Sequence, residues 1–385
     1  MATILLPRAM RVGGGALRDL PAALAQLGLA RPAILTDPHM AESGMLDRLL
    51  DVFGEAGIPA RAFREVVADP TVASVEAALA FVGEGDHDCV LGFGGGSSID
   101  TAKAVAVLAV RGGGMRELKA PHQEDRPGLP IVAVPTTAGT GSEATRFTII
   151  TDQDNDEKML CAGLAYLPML AIVDYELTLT KPRRLTADTG IDALTHAIEA
   201  YVSRLANPFS DGMAIAAMRA IWPNLRRACE VPEDRAAREG MMLGSLQAGI
   251  AFSNASVALV HGMSRPIGAH FHVAHGLSNA MLLPVVTAWS APAGLARYAD
   301  CARAMGLAPA EEGDQAAVAR LVEALRDVNR DLEVPSPMRY GIDKARWNAL
   351  LPLMAQQALA SGSPGNNPRV PDAETIQALY REAWA

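Results

Sequence analysis

Cys89-Val90-Leu91-Gly92-Phe93-Gly94-Gly95-Gly96-Ser97-Ser98-Ile99-Asp100 reads as a short buried strand running into three glycines and two hydroxyls. Apolar residues at helical spacing follow from Ala102 to Ala109. Strand, glycine turn and helix in this order make a candidate phosphate cradle. Glycine lets the backbone approach an anion, and a helix start aims N–H groups and the positive end of its dipole at it. The stretch fits neither of the common nucleotide patterns, GxGxxG or GxxxxGK[ST]. A glycine run can equally be a plain turn, so its neighbours decide the reading.

Those neighbours alternate. Ala33–Thr36, Pro130–Val134 and Met169–Asp174 are strand-like apolar runs, while Met45–Phe53 and Ser74–Val82 carry apolar residues at helical spacing. Such alternation predicts βαβ units around a mostly parallel sheet. Pro135-Thr136-Thr137-Ala138-Gly139-Thr140-Gly141-Ser142-Glu143 is a second loop of hydroxyls and glycines after a predicted strand. Ligands of open α/β sheets bind beyond the carboxyl ends of the strands, where both loops belong. Asp37, just past the Ala33–Thr36 strand, is placed to accept hydrogen bonds from a ribose, and its charge would repel a 2′-phosphate. NAD is therefore favoured over NADP, although Asp37-Pro38 can also be read as a simple turn.

From about Leu185 the texture changes to long Ala-, Leu- and Met-rich stretches without β-branched runs. The expected organisation is an α/β nucleotide-binding domain over residues 1–180 and an all-helical domain over 181–385, joined at the composition shift Lys181-Pro182-Arg183-Arg184. At 385 residues the chain exceeds the size at which single cores stop growing. The segment Ser361–Arg369, rich in Ser, Gly, Pro and Asn, is expected to be one surface loop.

Half the residues are hydrophobic and 20% are charged, with a formal net charge of −9. That balance suits a soluble protein with a large core, and argues against a nucleic-acid partner, which needs clustered Lys and Arg. Cys89, Cys161, Cys229 and Cys301 are widely spaced and read as thiols in a reducing compartment. The first residues lack the charged and apolar regions of a signal peptide, and no apolar run has transmembrane length. A cytoplasmic location without membrane partners is expected.

Asp192-Ala193-Leu194-Thr195-His196 puts an acid and an imidazole one helical turn apart, able to reach one ion together. Four of the eight histidines, His261, His270, His272 and His275, crowd into fifteen residues downstream. Imidazoles with a carboxylate and no sulfur suit Fe2+ or Zn2+, whereas Mg2+ and Ca2+ prefer oxygen shells. Spacing alone leaves open which two of the four complete the set. His272, eleven residues after His261, would return to the same face of a continuous helix.

The runs Gly94–Lys103 and Pro135–Glu143, the pair Asp192 and His196, and His261 with Ala274-His275-Gly276 closely resemble the iron-containing (group III) alcohol dehydrogenase family, in the family's order and over nearly the whole chain. The resemblance implies an N-terminal α/β dinucleotide domain and an all-α metal domain, the architecture shared with dehydroquinate synthase, with the active site in the cleft between them. By the same likeness, Asp192, His196, His261 and His275 would hold Fe2+, with Zn2+ possible. Gly94, Gly95, Gly96, Ser97 and Ser98 would hold the NAD pyrophosphate, with Asp37 at the adenosine ribose and Asp100 also among the cofactor-binding residues. Thr136, Thr137, Ser142 and Lys158 would line the rest of the cofactor groove. The implied reaction is hydride transfer between a small alcohol, diol or hydroxy acid and nicotinamide, in a homodimer or larger homo-oligomer.

One position departs from that pattern. Many members carry a second histidine four residues after the first metal histidine of this segment, and here it is Arg265. A guanidinium cannot shuttle a proton. Arg265 is either a solvated helix charge or an active-site receptor for an anionic substrate group. Alternative readings of the whole chain are a lyase like dehydroquinate synthase, which would accumulate no net NADH, and a non-catalytic NAD or metal sensor.

Overall fold

The structure, a computed structural model, describes residues 2–155 and 157–385. It divides into two compact units, one spanning Leu5–Thr180 and the other Lys181–Ala385 with the residues up to Ile4.

In the first unit, β1 (Ala9–Val12), β2 (Pro32–Thr36), β3 (Arg61–Phe63), β4 (Cys89–Gly94), β5 (Ile131–Pro135) and β8 (Leu170–Val173) form a six-stranded sheet in the order β1-β8-β5-β4-β2-β3. Every pairing in it is parallel. The strands β6 (Phe147–Asp152) and β7 (Glu157–Ala162) make a separate antiparallel pair. The inner strands are buried along their whole length, as a parallel sheet covered on both faces requires. Side chains alternate between the faces. Leu35 and Val90 join one core with Val75 and Val105, from the helices α4 (Val72–Gly83) and α5 (Gly96–Arg111). Ile34 and Leu91 join the other core, with Leu20 and Leu24 of α1 (Leu20–Gln26) and Leu49 of α3 (Met45–Glu55); the short α2 (Pro38–Glu42) contributes Met40.

The strand and helix pattern expected from the sequence is present, with α5 starting at Gly96 instead of Ala102, because Gly94 ends β4, Gly95 caps the helix and Gly96 is its first residue. The short edge strands β1 and β3 and the β6–β7 pair were not foreseen. β1 and β3 are short and have no fully buried residue, while β6 and β7 bury only some positions, such as Ile150, Met159 and Cys161, among half-exposed neighbours.

The second unit is helical. Its first five helices are α6 (Arg183–Val202), α7 (Pro208–Glu230), α8 (Arg235–Ser253), α9 (Leu259–Phe271) and α10 (His275–Ser290). They are followed by α11 (Leu295–Ala304), α12 (Asp314–Asp331), α13 (Pro337–Tyr340), α14 (Lys344–Ala360) and α15 (Ala373–Glu382). Helix α6 is buried on nearly every side from Thr186 to Val202 and packs against α7, α8 and α10. Small residues permit this closeness. A Cβ on Gly276 would stand 2.4 Å from the Asp188 carbonyl oxygen and 3.3 Å from the Asp192 Cβ, so glycine lets the start of α10 reach α6.

Two expectations are overturned here. Helix α9 ends at Phe271, and His272 takes a left-handed conformation (φ 54°) that caps it, exposed to solvent. The turn breaks the periodicity that would have returned His272 to the face of His261. Ser361–Arg369 is not a mere surface loop, since Ser363, Pro364 and Asn367 are buried. Its polar side chains find fixed partners: Asn366 donates to Ser256 Oγ and Asn367 to Ser290 Oγ. All four cysteines are buried and unpaired. Among the described residues no helix is long and apolar enough to cross a membrane.

Candidate metal centre and nucleotide cradle

Asp192 in the middle of α6, His261 in the first turn of α9 and His275 at the start of α10 each offer a ligand atom within 4.8 Å of the others. Asp192 Oδ1 lies 3.4 Å from His261 Nε2 and 3.8 Å from His275 Nε2. His196, one turn along α6, has its Nδ1 4.0 Å from the same oxygen. Its ring stacks between Phe252 and His261, each 4.3 Å away. His270 lies outside the cluster and is tied to Gln357 Oε1 of α14 at 2.8 Å.

Burial alone would raise the Asp192 carboxyl, yet the imidazoles of His196, His275 and His261 hold it well below the usual carboxylate range. For His261 burial works toward a lower pKa, and the carboxylates of Asp192 and Glu199 on its two nitrogens overcome that and raise it. This is a pocket that stabilises positive charge.

Two residues not singled out in the sequence complete the centre. Glu199 Oε2 accepts from His261 Nδ1 at 2.6 Å and from the Ala258 N–H at 2.8 Å, while Oε1 accepts from the Val260 N–H. One carboxylate thus satisfies N–H groups at the start of α9 and orients the His261 ring. Asn279 is fully buried, and its Nδ2 donates to Asp192 Oδ1 at 2.6 Å, standing 3.1 Å from His261 Nε2 and 3.3 Å from His275 Nε2. Its Oδ1 is buried without a partner. A signal for both existed: Glu199 lies at i+7 from Asp192 and Asn279 at i+4 from His275, each on the ligand-bearing face of its helix.

The donor set fits a divalent cation. A carboxylate and two imidazole nitrogens face one another, with a single amide group between them, and a carboxylate behind one imidazole is the usual outer partner of a metal-binding histidine.

Arg265 follows His261 by one turn on α9. Its Nη1 donates to Ser363 Oγ at 3.1 Å. Burial pulls the guanidinium down to about 10, with Glu199 opposing, so it remains a cation at neutral pH.

The cofactor candidates lie in the α/β unit. Because β2, β4 and β5 are adjacent and parallel, Asp37, Gly94–Ser98 and Thr136–Thr137 leave the same end of the sheet. The Thr136 N–H donates to the Gly94 carbonyl, joining the two loops. Gly94 has φ 149°, and a Cβ there would meet Ser98 Oγ at 2.4 Å and Asp37 Oδ2 at 3.0 Å; only glycine fits. Asp37 caps α2, its Oδ1 accepting from the Met40 N–H. The Ser98 hydroxyl is buried without a partner. Gly95 precedes the first turn of α5, where backbone N–H groups are available to an anion.

Three other cofactor candidates have protein partners. Ser142 Oγ donates to Asp100 Oδ1 at 2.7 Å, and Ile149 N–H donates to Asp100 Oδ2. Lys158 on β7 pairs with Asp69 at 2.8 Å. The Asp100–Ser142 bond pins the second loop onto α5, assisted by Lys103, which is wholly buried and donates to Thr145 O, Thr145 Oγ1 and Phe147 O. Burial raises Asp100, lowers Lys103 to about 8 and raises the neighbouring Glu143 to about 7.

Comparison with known proteins assigns the chain. The sequence profile described as iron-containing alcohol dehydrogenase matches residues 7–175, and that of the Fe-containing alcohol dehydrogenase family, C-terminal, matches 186–384. The chain is similar to long-chain-alcohol dehydrogenase 1 of Geobacillus thermodenitrificans, 38% identical over 100% of this chain and 97% of that one. It is also similar to the NAD-dependent methanol dehydrogenase of Bacillus methanolicus, 34% identical over the full length of both. A crystal structure of 1,3-propanediol oxidoreductase superposes with a TM-score of 0.94 at 34% identity, covering 100% of each chain. The protein belongs to the iron-containing alcohol dehydrogenase family. Its activity class is that of an alcohol and aldehyde oxidoreductase.

Proposed function

We propose that the protein transfers hydride reversibly between a small alcohol and NAD, using Fe2+ (or Zn2+) held by Asp192, His196, His261 and His275. The observation that carries this reading is the convergence of Asp192 Oδ1, His261 Nε2 and His275 Nε2, with Glu199 braced behind His261. When bound, the metal supplies a Lewis acid for the alcohol or carbonyl oxygen and NAD(H) carries the hydride.

The chain's own residues set the conditions. Asp192 supplies the negative charge of the ligand set. Glu199, by accepting from Nδ1, leaves the Nε2 lone pair of His261 directed toward the point where Asp192 and His275 converge. In the α/β unit, Gly94–Ser98 and the start of α5 offer N–H groups and the Ser98 hydroxyl to a pyrophosphate. Asp37 accepts from a ribose and repels a 2′-phosphate, which favours NAD, as does the NAD-dependence in the name of the methanol dehydrogenase relative. Thr136 and Thr137 border this cradle; Asp100 and Ser142 keep its second loop in place. On family grounds the protein is a homo-oligomer, and its buried thiols suit the cytoplasm.

Anaerobic reconstitution with Fe2+ or Zn2+, followed by alcohols and aldehydes with NAD(H), tests the reading. Net NADH formation from alcohols, dependent on added metal, is expected. Conversion without net NADH would point to the lyase, and loss of metal dependence would remove the proposed centre.

A further inference from the structure

Arg265 lies on the same face of α9 as His261, about 5–6 Å along the helix between Cβ atoms. Long helical side chains lean toward the N-terminus, which here is toward the turn that carries His261. Among the described residues its one hydrogen-bond partner is Ser363 Oγ, and no carboxylate pairs with it. The acid whose charge reaches it is Glu199, already engaged by His261 Nδ1 and by the Ala258 and Val260 N–H groups. A guanidinium has five N–H donors. A largely buried cation given only a neutral hydroxyl is costly to keep unless an anion comes from outside.

Ser363 is itself held in place. A Cβ on Gly262 would lie 2.7 Å from Pro364, so the 361–367 segment sits directly on α9 between His261 and Arg265. Arg204 N–H donates to Asn366 O, and Asn366 donates to Ser256 Oγ. The hydroxyl that meets the guanidinium is therefore held against the helix that carries His261.

We propose that Arg265 and Ser363 form a receptor for an anionic group on the substrate, so that short aldehydes bearing a carboxylate, sulfonate or phosphonate are preferred over neutral aldehydes of equal length. This rests on the reductase reading of the metal centre. Hydride passes from C4 of NADH to the aldehyde carbon and a proton from water goes to its oxygen, giving the hydroxy anion and NAD+. The anionic group is unchanged and serves only to hold the substrate.

The test has a binding arm and a kinetic arm. The metal-loaded protein is titrated calorimetrically, without nucleotide, with 4-hydroxybutanoate, 2-hydroxyethanesulfonate and 1-butanol. At least one anion binds more tightly than 1-butanol, and the choice between them tells carboxylate from sulfonate. Arg265→Met weakens that anion by roughly 10- to 150-fold relative to 1-butanol, the range for charge-assisted hydrogen bonds. Ser363→Ala, which keeps the guanidinium, weakens it by roughly 3- to 10-fold and guards against an Arg265 variant that fails to fold. If neither anion outbinds 1-butanol, or if Arg265→Met costs anion and alcohol equally, the proposal is wrong.

In the kinetic arm, NADH oxidation with 4-oxobutanoate and butanal gives a selectivity ratio that falls by the same factor in Arg265→Met. Turnover of butanal without anion binding overturns the receptor and leaves the dehydrogenase standing. Arg265-dependent anion binding without turnover of any aldehyde keeps the receptor and removes the reductase.

Discussion

In the α/β unit, Lys103 is buried with three acceptors for its three N–H donors, and the nearby Asp100 accepts from Ser142 and Ile149. In the helical unit, Asp192, His261 and His275 face one another around one amide nitrogen of Asn279. The first is closed by hydrogen bonds within the protein; in the second, Asp192 and His261 are as deeply buried while His275 is partly exposed. Burial of charge is thus no sign of function by itself. What marks the second cluster is its donor set, a carboxylate and two imidazoles converging within 4.8 Å, the kind that ligates a divalent cation.

The largest effect tests the closed cluster. Lys103→Met leaves Asp100 and Glu143 buried without their cation and should destabilise the α/β unit by about 3–5 kcal/mol, read as a fall in the denaturant midpoint. An unchanged midpoint would mean that Lys103 is not the strut its hydrogen bonds describe. Next comes the open cluster. Glu199→Gln should weaken metal binding roughly 10- to 100-fold, measured by competition with a chelator, while the apo protein changes far less in stability than Lys103→Met does. Equal losses of stability would erase the contrast between the two clusters.

The smallest effect is a slope. Glu143 is raised from 4.5 to about 7 by burial. Between those values the folded protein holds a proton that the unfolded chain has released, so its stability falls as pH rises through that window. Glu143→Gln should remove this contribution, at most about 1.4 kcal/mol per pH unit, when unfolding is followed from pH 5 to 7. Parallel profiles for the two proteins would show that Glu143 is ionised throughout.

Much of this was legible in the chain. Apolar runs and their spacing marked β2, β4, β5, β8 and the helices α3 and α4 because those elements are buried in a regular register. The Asp192 and His196 pair was legible because four residues make one helical turn. Less visible were β6 and β7, half-buried strands without a strong pattern. Glu199, Asn279 and Ser363 looked like ordinary polar residues, and their partners lie 62, 87 and 98 positions away.

Local periodicity and the chemistry of residue types were enough, by themselves, to determine a parallel α/β half with a glycine cradle and a helical half with metal-type ligands. Only the tertiary structure decided which histidines meet. His261 and His275 come to Asp192, while His272 caps a helix and His270 joins α14. The reason is physical: spacing fixes the face of a helix, but which faces touch depends on close packing, such as the approach of α10 to α6 at Gly276. The same packing set Ser363 against Arg265.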